Sequence, residues 1–300
     1  MKRAVSISLG SATRDKEAVV NLLGEDVSVQ RIGTDGDIER AIQLYNDLDG
    51  KVDAFGVGGV KLGFQVGDRY YPLRSASKLV AGVRRTPVVE GAGLKQTLER
   101  RIAQFVEQEI GAEIQPKRVL ITSGVDRYGS VVSFVEAGYD ILIGDLAFAL
   151  GLPIPIRSLR GLRLLARVLL PLLSYLPISV LYPTGEKQEE IVPKFESWYA
   201  WASVIAGDCL YVKHHMPDRL DGKVVVTNTT TEADVEAFRQ RGVRYLVTST
   251  PRLDGRSFGT NMMEAALVAA VGSGQPLGQQ ELERLLEQLG LTPTIQRLNE

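Results

Sequence analysis

Cysteine and histidine are nearly absent from this sequence of 300 residues. The single cysteine, Cys209, excludes an internal disulfide and a metal site built from several thiolates. The two histidines, His214 and His215, are neighbours in the chain, which leaves little material for a histidine-based metal site, and we predict no metal. The N-terminus is basic but lacks the apolar core of a signal peptide, so we expect a cytoplasmic protein.

A charge excess of one sign is also missing, because 35 basic residues face 36 acidic ones and the formal net charge is −1. No overall field favours nucleic acid, and we expect no nucleic-acid partner. Hydrophobic residues make up 44% of the chain and charged residues 24%, which is typical of a globular protein. The length suits one large domain or two ordinary ones.

Short apolar runs alternate with helical patterns along the chain, which predicts an α/β fold with a parallel, doubly wound sheet. Strands are predicted at 4–9, 27–32, 52–57, 87–89, 119–122, 139–143, 178–181, 204–206, 224–227 and 245–248. A hairpin is predicted at 63–73, centred on Gly67-Asp68. Helices are predicted at 16–23, 37–48, 78–83, 93–111, 232–241, 260–271 and 279–289.

The stretch from Lys117 to Leu146 has the order strand, glycine-bearing turn, helix, strand, which opens a nucleotide-binding βαβ unit. Gly124 and Gly129 in its turn let backbone N–H groups approach a pyrophosphate beside a helix N-terminus. Asp145 stands about 20 residues further on, where a ribose diol is usually held. The spacing is G-x-x-x-x-G rather than G-x-G-x-x-G, so a crossover without a ligand is the alternative interpretation.

Small polar residues follow several predicted strands, at the edge where open α/β sheets bind their ligands. We predict that Ser123, Asn228, Thr229 and Thr248 bind a cofactor's ribose, phosphate or amide groups. For the cluster around Asn228 the alternative is N-capping of the helix that begins at Glu232.

Two lysines follow glycine-rich strand ends, and each is a candidate for anion binding or proton exchange. They are Lys61, in the segment 55–61, and Lys95, in the segment 89–95. The alternative for either one is an ordinary exposed lysine. His214 and His215 are expected to follow a strand over 204–212, where at most one of them would face a cleft.

The segment 157–183 breaks the α/β rhythm, since it is apolar and carries arginines at three- and four-residue steps. These arginines are Arg157, Arg160, Arg163 and Arg167. We expect a helical lid or dimer contact over the cofactor side of the sheet, in which Leu162, Leu165, Ala166 and Leu169 face protein and the prolines prevent one long helix. Binding to an anionic membrane surface is the alternative, and a membrane partner is not expected.

Three fragments resemble the shikimate/quinate 5-dehydrogenase group. Ser6-Ile7-Ser8 looks like the family's Ser-x-Ser, which holds the substrate carboxylate. Asp254-Gly255 with 262–266 looks like its Asp-Gly, Met and Gln-Ala-Ala segment, with Glu264 in place of a substrate-binding glutamine. The Asn-Val-Thr-x-Pro-x-Lys context of the family's lysine is absent; Lys61 lies at a similar depth in the chain, and Lys95 is the alternative.

The resemblance implies two domains, an N-terminal α/β substrate domain at 1–112 and a doubly wound Rossmann-like NAD(P)-binding domain at 113–275. The second domain would carry the helical insert 157–183, and a C-terminal helix at 276–300 would return to the first domain. The implied activity is hydride transfer between NAD and a polar hydroxy acid such as quinate or shikimate.

The expected site follows from this resemblance together with the motifs. Lys61 or Lys95 would carry the proton, with Asp126 as electrostatic partner. The substrate would contact Ser6, Ser8, Asn261 and Glu264, and the cofactor would contact Ser123, Gly124, Arg127, Gly129, Asp145, Asn228, Thr229 and Thr248. An acidic Asp145 repels a 2′-phosphate, so NAD is expected, with NADP as the alternative.

Two other functions suit the same patterns. A two-domain transferase with a nucleotide-sugar or other phosphate donor would use paired Rossmann-like halves and the segment 256–261 before a helix. A non-catalytic nucleotide-binding or regulatory module would explain the missing lysine motif. The expected partner is a small-molecule substrate, and a homodimer is a further interpretation of the insert.

Overall fold

A computed structural model describes residues 1–178, 191–253 and 256–300, with the backbone alone at 252–253 and 256–257. Most of the predicted strand at 178–181 and the Asp254-Gly255 motif lie outside the described residues. The chain divides into two compact units. The first takes residues from Met1–Thr97, Leu169–Thr184 and Arg252–Leu291, and the second takes residues from Leu98–Val168, Gly185–Pro251 and Thr292–Glu300.

The first unit is built on a mainly parallel sheet. Its strands are β1 (Lys2–Ser8), β2 (Lys16–Leu22), β3 (Glu25–Gly33), β4 (Ala54–Gly58), β5 (Gly63–Val66), β6 (Arg69–Pro72) and β7 (Val88–Val89). The sheet has the order β2-β3-β1-β4-β7, in which β2 alone is antiparallel to its neighbour. Because β3 and β4 lie on opposite sides of β1, a topological switch point lies between β1 and β4.

The second unit contains a sheet of the same kind. Its strands are β8 (Arg118–Ile121), β9 (Asp140–Ile143), β10 (Val204–Ala206), β11 (Val224–Thr227), β12 (Tyr245–Thr248) and β15 (Thr294–Arg297). The pair of β13 (Arg252–Leu253) and β14 (Arg256–Ser257) precedes β15 in the chain and belongs to the first unit. The order is β15-β12-β11-β10-β8-β9, with β15 antiparallel and the others parallel. A switch point therefore lies between β8 and β10.

Helices connect most of these strands. They are α1 (Ile38–Leu48), α2 (Arg74–Ser77), α3 (Ala92–Arg100), α4 (Ile102–Ile110), α5 (Tyr128–Glu136), α6 (Asp145–Leu150), α7 (Leu159–Leu173), α8 (Glu196–Trp201), α9 (Cys209–His214), α10 (Glu232–Gln240), α11 (Thr260–Val271) and α12 (Gln279–Gln288). Short 3₁₀ turns lie at Ala12–Arg14, Lys78–Val80 and Gly111–Glu113. The α/β class and the parallel strands are as predicted.

Alternation along β1 places helices on both faces of the first sheet. Ile7 packs with Tyr45 of α1, whose hydroxyl donates to the Ile7 carbonyl at 3.1 Å. The neighbouring Ser6 points to the other face and accepts a hydrogen bond from Asn261 of α11 at 2.6 Å. Successive side chains of a strand point to opposite faces, so Val5 and Ile7 face one side of the sheet while Ser6 and Ser8 face the other.

The hairpin over 63–73 is confirmed, and the predicted helix over 16–23 is wrong. Residues 16–22 form β2, which pairs antiparallel with β3 through a turn at Leu23-Gly24. Both turn residues have positive φ, 57° and 84°, as a two-residue hairpin requires. Val20 and Leu22 are buried while Val19 and Asn21 are exposed, a period of two that fits a strand and not a helix.

Three other boundaries differ from the prediction. The helix expected over 93–111 is divided into α3 and α4 at Arg101. The extended chain expected over 204–212 ends at Ala206, because Asp208 caps α9 by accepting from the Leu210 amide at 3.1 Å. The helix expected over 78–83 is replaced by α2 and the 3₁₀ turn at Lys78–Val80.

The insert forms α7, which continues past Pro171 and ends at Leu173. Pro171 therefore lies inside the helix, which ends two residues after it. Leu162 and Ala166 face protein, as expected, and are fully buried, whereas Leu165 and Leu169 are half-buried. Within the described part of the chain, none of the helices has the length and apolar character needed to cross a bilayer.

Candidate functional site

A cavity of about 230 Å³ lies in the first unit, beside the carboxyl ends of β4 and β7 and the start of α11. It brings together Lys61, Lys95 and Asn261, three residues singled out in the sequence. Its remaining walls are Val57, Gly58, Gly59, Val60, Glu90, Gly91, Ala92 and Thr260. The cavity therefore adjoins the switch point between β1 and β4, where open α/β sheets bind ligands.

Glu90 is the acid of this cavity, and sequence reasoning did not single it out. Its carboxylate accepts a hydrogen bond from the Leu62 amide. Burial raises the pKa of Glu90, and the positive charges of Lys61 and Lys95 partly offset that rise. The signal was present in the sequence, since Glu90 directly follows a predicted strand and stands five residues before Lys95.

Glu264 lies behind the cavity wall, in the first turns of α11, and is buried. Its carboxylate accepts from the Leu94 amide at 2.9 Å, near the start of α3. A Cβ at Gly93 would lie 3.1 Å from its Oε1, so glycine permits this approach. Burial raises the pKa of Glu264 to about 7, with a further contribution from Glu90, against the lowering by the backbone amides.

Ser6, Ser8 and Asn261 meet at the carboxyl end of β1. Ser6 Oγ accepts from Asn261 Nδ2 at 2.6 Å, and Ser8 Oγ accepts from Arg31 Nη2 at 3.0 Å. A Cβ at Gly58 would lie 2.8 Å from the Ser8 side chain, so a larger residue there would displace it. Each serine hydroxyl that accepts in this way keeps its O–H as a donor.

The glycine turn of the second unit is closed by Asp145. The two carboxylate oxygens accept from the amides of Gly124 and Val125 at 2.7 and 2.8 Å. A Cβ at Gly124 would lie 2.5 Å from Ile143 and 3.3 Å from Leu162 of α7, so only glycine fits. Burial raises the pKa of Asp145 to about 6, although the two amides lower it. The amides predicted to hold a pyrophosphate thus hold a carboxylate of the protein itself.

Arg127 is enclosed at the end of this turn. Its guanidinium donates to Glu99 and, at 2.8 Å, to Asp208, and its Nε lies 3.5 Å from Asp126. Burial by itself would lower the pKa of Arg127, but Glu99 and Asp208 outweigh it and raise the pKa. Asp126, predicted as a partner of the catalytic lysine, contacts this arginine in the second unit, and Gly129 is buried in the first turn of α5.

The polar residues after β11 and β12 join the same edge of the sheet. Asn228 donates to Asp208 at 3.0 Å, and the hydroxyls of Thr248 and Thr294 lie 2.6 Å apart. Thr229 is half-buried between Asn228 and the cap of α10. That cap is Thr231, whose hydroxyl accepts from the Asp234 amide at 3.2 Å, so N-capping holds for this neighbour of the cluster.

Three hydroxyl groups near this edge are buried without a hydrogen-bond partner among the described residues. They belong to Ser123, which was predicted to bind a cofactor, and to Thr122 and Thr250. A buried hydroxyl without a partner is costly, and a bound water or ligand is the usual explanation. These residues follow β8 and β12, on either side of the switch point between β8 and β10.

His214 and His215 end α9 rather than following a strand. The His215 ring contacts the Val192 carbonyl through Nδ1 at 2.8 Å and packs against Phe148 and Phe195 at centroid distances of 5.5 Å. Burial lowers the pKa of His215. These contacts give His215 a structural role in the core of the second unit.

Two family models cover the chain. The model described as Domain of unknown function (DUF8754) matches residues 93–298, and the one described as Domain of unknown function (DUF8753) matches residues 3–90. None of the curated proteins compared with this sequence matches it.

Several solved structures are similar at low identity. Malic enzyme from Entamoeba histolytica is 13% identical with a TM-score of 0.42, over 100% of this chain and 66% of that one. A sugar ABC transport substrate-binding protein from Bordetella parapertussis is 11% identical with a TM-score of 0.40, over 99% and 89%. Shikimate 5-dehydrogenase from Thermus thermophilus, in complex with NADP(H) and shikimate, is 10% identical with a TM-score of 0.38, over 96% and 99%. At these scores the similarities carry no argument about function.

Proposed function

This chain belongs to the family described as Domain of unknown function (DUF8754), and we propose that it is an NAD(P)-dependent oxidoreductase of a small polar hydroxy acid. The observation that carries the proposal is the cavity of the first unit, where Lys61 and Lys95 surround the half-buried Glu90. Quinate or shikimate is the substrate class that the sequence fragments resemble. The first unit would be the substrate domain, and the second, Rossmann-like unit would be the cofactor domain.

The charges of the cavity favour an anionic substrate. Two lysine side chains and the start of α11 contribute positive potential, which suits a carboxylate. Ser6 and Ser8 would donate their O–H groups to that carboxylate, and Asn261 orients Ser6 through its amide. Glu264 would act on the substrate site through the start of α3, which it holds by the Leu94 amide.

Proton transfer would use the groups already in the cavity. A bound NAD or NADP would supply the hydride acceptor for the carbinol carbon. Lys61 or Lys95 would take the hydroxyl proton as the carbonyl forms, and Glu90, whose pKa is raised, would exchange protons with that lysine. Asp126 as an electrostatic partner remains a prediction.

The second unit offers hydroxyl and amide groups to a nucleotide. The buried hydroxyl of Ser123, without a partner among the described residues, fits a cofactor that supplies one. Asn228, Thr229 and Thr248 would complete that set at the carboxyl edge. A pyrophosphate would bind the Gly124 amide only if Asp145 released it, since its carboxylate now occupies that donor.

The hydrogen bonds from the glycine turn to Asp145 favour a second candidate, a non-catalytic binding protein that uses the first unit alone. In that case the Asp145 carboxylate would hold the glycine turn permanently, and no dinucleotide would enter. Titration of NAD and NADP, followed by thermal unfolding, separates the two candidates because a bound ligand stabilises by mass action. Stabilisation by neither cofactor contradicts the oxidoreductase and supports the binding protein.

The Asp145 variant extends this titration. Asp145→Ala frees both turn amides and removes the carboxylate expected to repel a 2′-phosphate. The oxidoreductase proposal expects the wild type to bind NAD about tenfold more tightly than NADP, and the variant to lose that preference. Equal affinities that do not change between the two proteins contradict the cofactor role of Asp145.

The lysines are tested by turnover with quinate and shikimate. Lys→Met at the catalytic position should lower the rate on the order of 10²- to 10⁴-fold and leave NAD binding intact. Lys51→Met, an exposed lysine of the same unit, is the matched control and should keep the wild-type rate. If neither Lys61→Met nor Lys95→Met lowers the rate even tenfold, the proposed proton transfer is wrong.

A further inference from the structure

The solvent side of α7 carries a row of large apolar side chains. Leu164, Val168 and Leu172, four residues apart, expose 64%, 55% and 67% of their surface. The opposite side of the helix, with Leu162 and Ala166, is buried. The helix therefore has two apolar rows. One faces protein, as predicted, and the other is exposed to solvent.

Positive charge accompanies this row. Arg160, Arg163 and Arg167 are exposed on the same helix, and the exposed Arg157 lies two residues before its start. No acidic residue occurs from 146 to 185, so the segment carries +4, whereas the rest of the chain carries −1 − 4 = −5. The apolar row therefore lies in the most basic part of an otherwise acidic chain.

Two of the arginines are oriented by the fold. The Arg157 guanidinium lies 5.4 Å from the centre of the Trp201 ring, and Arg163 Nε donates to the Tyr128 hydroxyl at 2.7 Å. These contacts, with the buried side of the helix, hold the exposed face in place. The basic and apolar groups are thus presented together along α7.

We propose that this face of α7 docks the protein on a membrane surface that contains anionic lipid. A helix of this type lies in the interface with its apolar row at the boundary of headgroups and acyl chains. Its arginines meet lipid phosphates, which attract basic residues near the surface. Because the helix has only 15 residues and contains Pro171, it would lie on the bilayer and not cross it.

The charges favour a lipid surface over a second copy of the chain. In a twofold dimer the same face would meet itself, so the positive charge of both copies would enter one contact. Like charges in a buried contact oppose association. An anionic surface instead complements both the arginines and the apolar row.

The direct experiment is sedimentation of the full chain with vesicles of phosphatidylglycerol and phosphatidylcholine, and with phosphatidylcholine alone. We expect binding to the anionic vesicles that falls with added salt, and little binding to the neutral ones. Arg160→Glu with Arg167→Glu should weaken binding about tenfold or more. Leu164→Ser with Val168→Ser should weaken it at unchanged charge.

Arg219→Glu with Arg239→Glu is the matched control, because it makes the same change of charge at exposed positions elsewhere. It should bind like the wild type, and circular dichroism checks that each variant is folded. Absence of binding to anionic vesicles, or equal loss in the control, overturns the proposal. A wild-type dimer that Leu164→Ser with Val168→Ser converts to a monomer would assign the face to a second copy instead.

Discussion

The two units use the polar residues at the carboxyl edges of their sheets in opposite ways. In the first, Lys61, Lys95 and Glu90 surround a cavity. In the second, Arg127 is enclosed by carboxylates and Asp145 occupies the amides of the glycine turn. Both edges lie at topological switch points, so topology alone selects the place where a ligand can bind. Pairing among the side chains decides whether that place is open or already filled by the protein.

The largest expected effect comes from breaking the enclosed charges of the second unit. Arg127→Met leaves Glu99, which is 2% exposed, without its guanidinium partner. Removing one member of a buried ion pair costs about 3–5 kcal/mol, and we expect the free energy of unfolding to fall by that amount in urea titration.

The comparison variant is Arg219→Met, which removes an ion pair with Asp221 on the surface. Exposed pairs contribute at most about 1 kcal/mol, so this variant should unfold nearly like the wild type. Adding Glu99→Leu to Arg127→Met should recover part of the loss, because the most deeply buried carboxylate beside Arg127 is then removed together with its partner. Equal losses for Arg127→Met and Arg219→Met would mean that the second edge is not held by its charges.

The second largest expected effect is on the pH dependence of stability, and it concerns Glu264, the buried acid behind the cavity of the first unit. The pKa of Glu264 is raised from 4.5 to about 7, so the folded state keeps a proton that the unfolded state releases. Stability from this group therefore increases as the pH falls from about 7 towards 4.5, and is lowest above pH 7. Between pH 8 and pH 5 the change is roughly 2–3 kcal/mol.

Glu264→Gln should flatten this dependence, as urea unfolding at pH 5 and pH 8 would show. Glu281→Gln removes the same charge from an exposed position of the same unit and controls for net charge. A pH dependence that stays the same in Glu264→Gln would place the titration elsewhere and weaken the contrast between the two edges.

The smallest effect tests a residue that serves the fold of the second edge. Thr231 caps α10, and Asp234 Oδ2 accepts in return from the Thr231 amide at 2.8 Å. Thr231→Ala should lower stability by about 1 kcal/mol in thermal or urea unfolding. Thr292→Ala, at an exposed position, should stay within about 0.5 kcal/mol of the wild type. Equal losses of stability in Thr231→Ala and Thr292→Ala would contradict the capping role of Thr231 beside the cluster around Asn228.

Elements with local causes were predictable. The hairpin of β5 and β6 follows from Gly67-Asp68, because Gly67 takes a φ of 61° that few other residues adopt. The strand over 16–22 was missed, since its alternation is short and its partner is set by the turn at Leu23-Gly24. α9 was missed because Asp208 acts as a cap only when the chain bends after β10.

The residues of the candidate site also divide into those that the sequence predicted and those that only folding brought into the site. That Lys61, Lys95 and Asn261 belong to one cavity agrees with their positions after strands and at a helix start. Glu90 was not identified, because its position after a predicted strand does not by itself distinguish a cavity acid from a surface one. Its pKa is raised by burial, and the two lysines brought near it by folding only partly offset that rise.

By itself the sequence determined the alternation of strands and helices, the glycine turn and the residues that follow each strand. These depend on periodicity and backbone preference over a few residues. Only the tertiary structure decided which polar groups meet. Asp145 reaches the Gly124 amide across 21 residues, and Glu264 reaches the Leu94 amide across 170. Such pairs form because folding brings distant segments together away from solvent, where a buried polar group without a hydrogen-bond partner is costly.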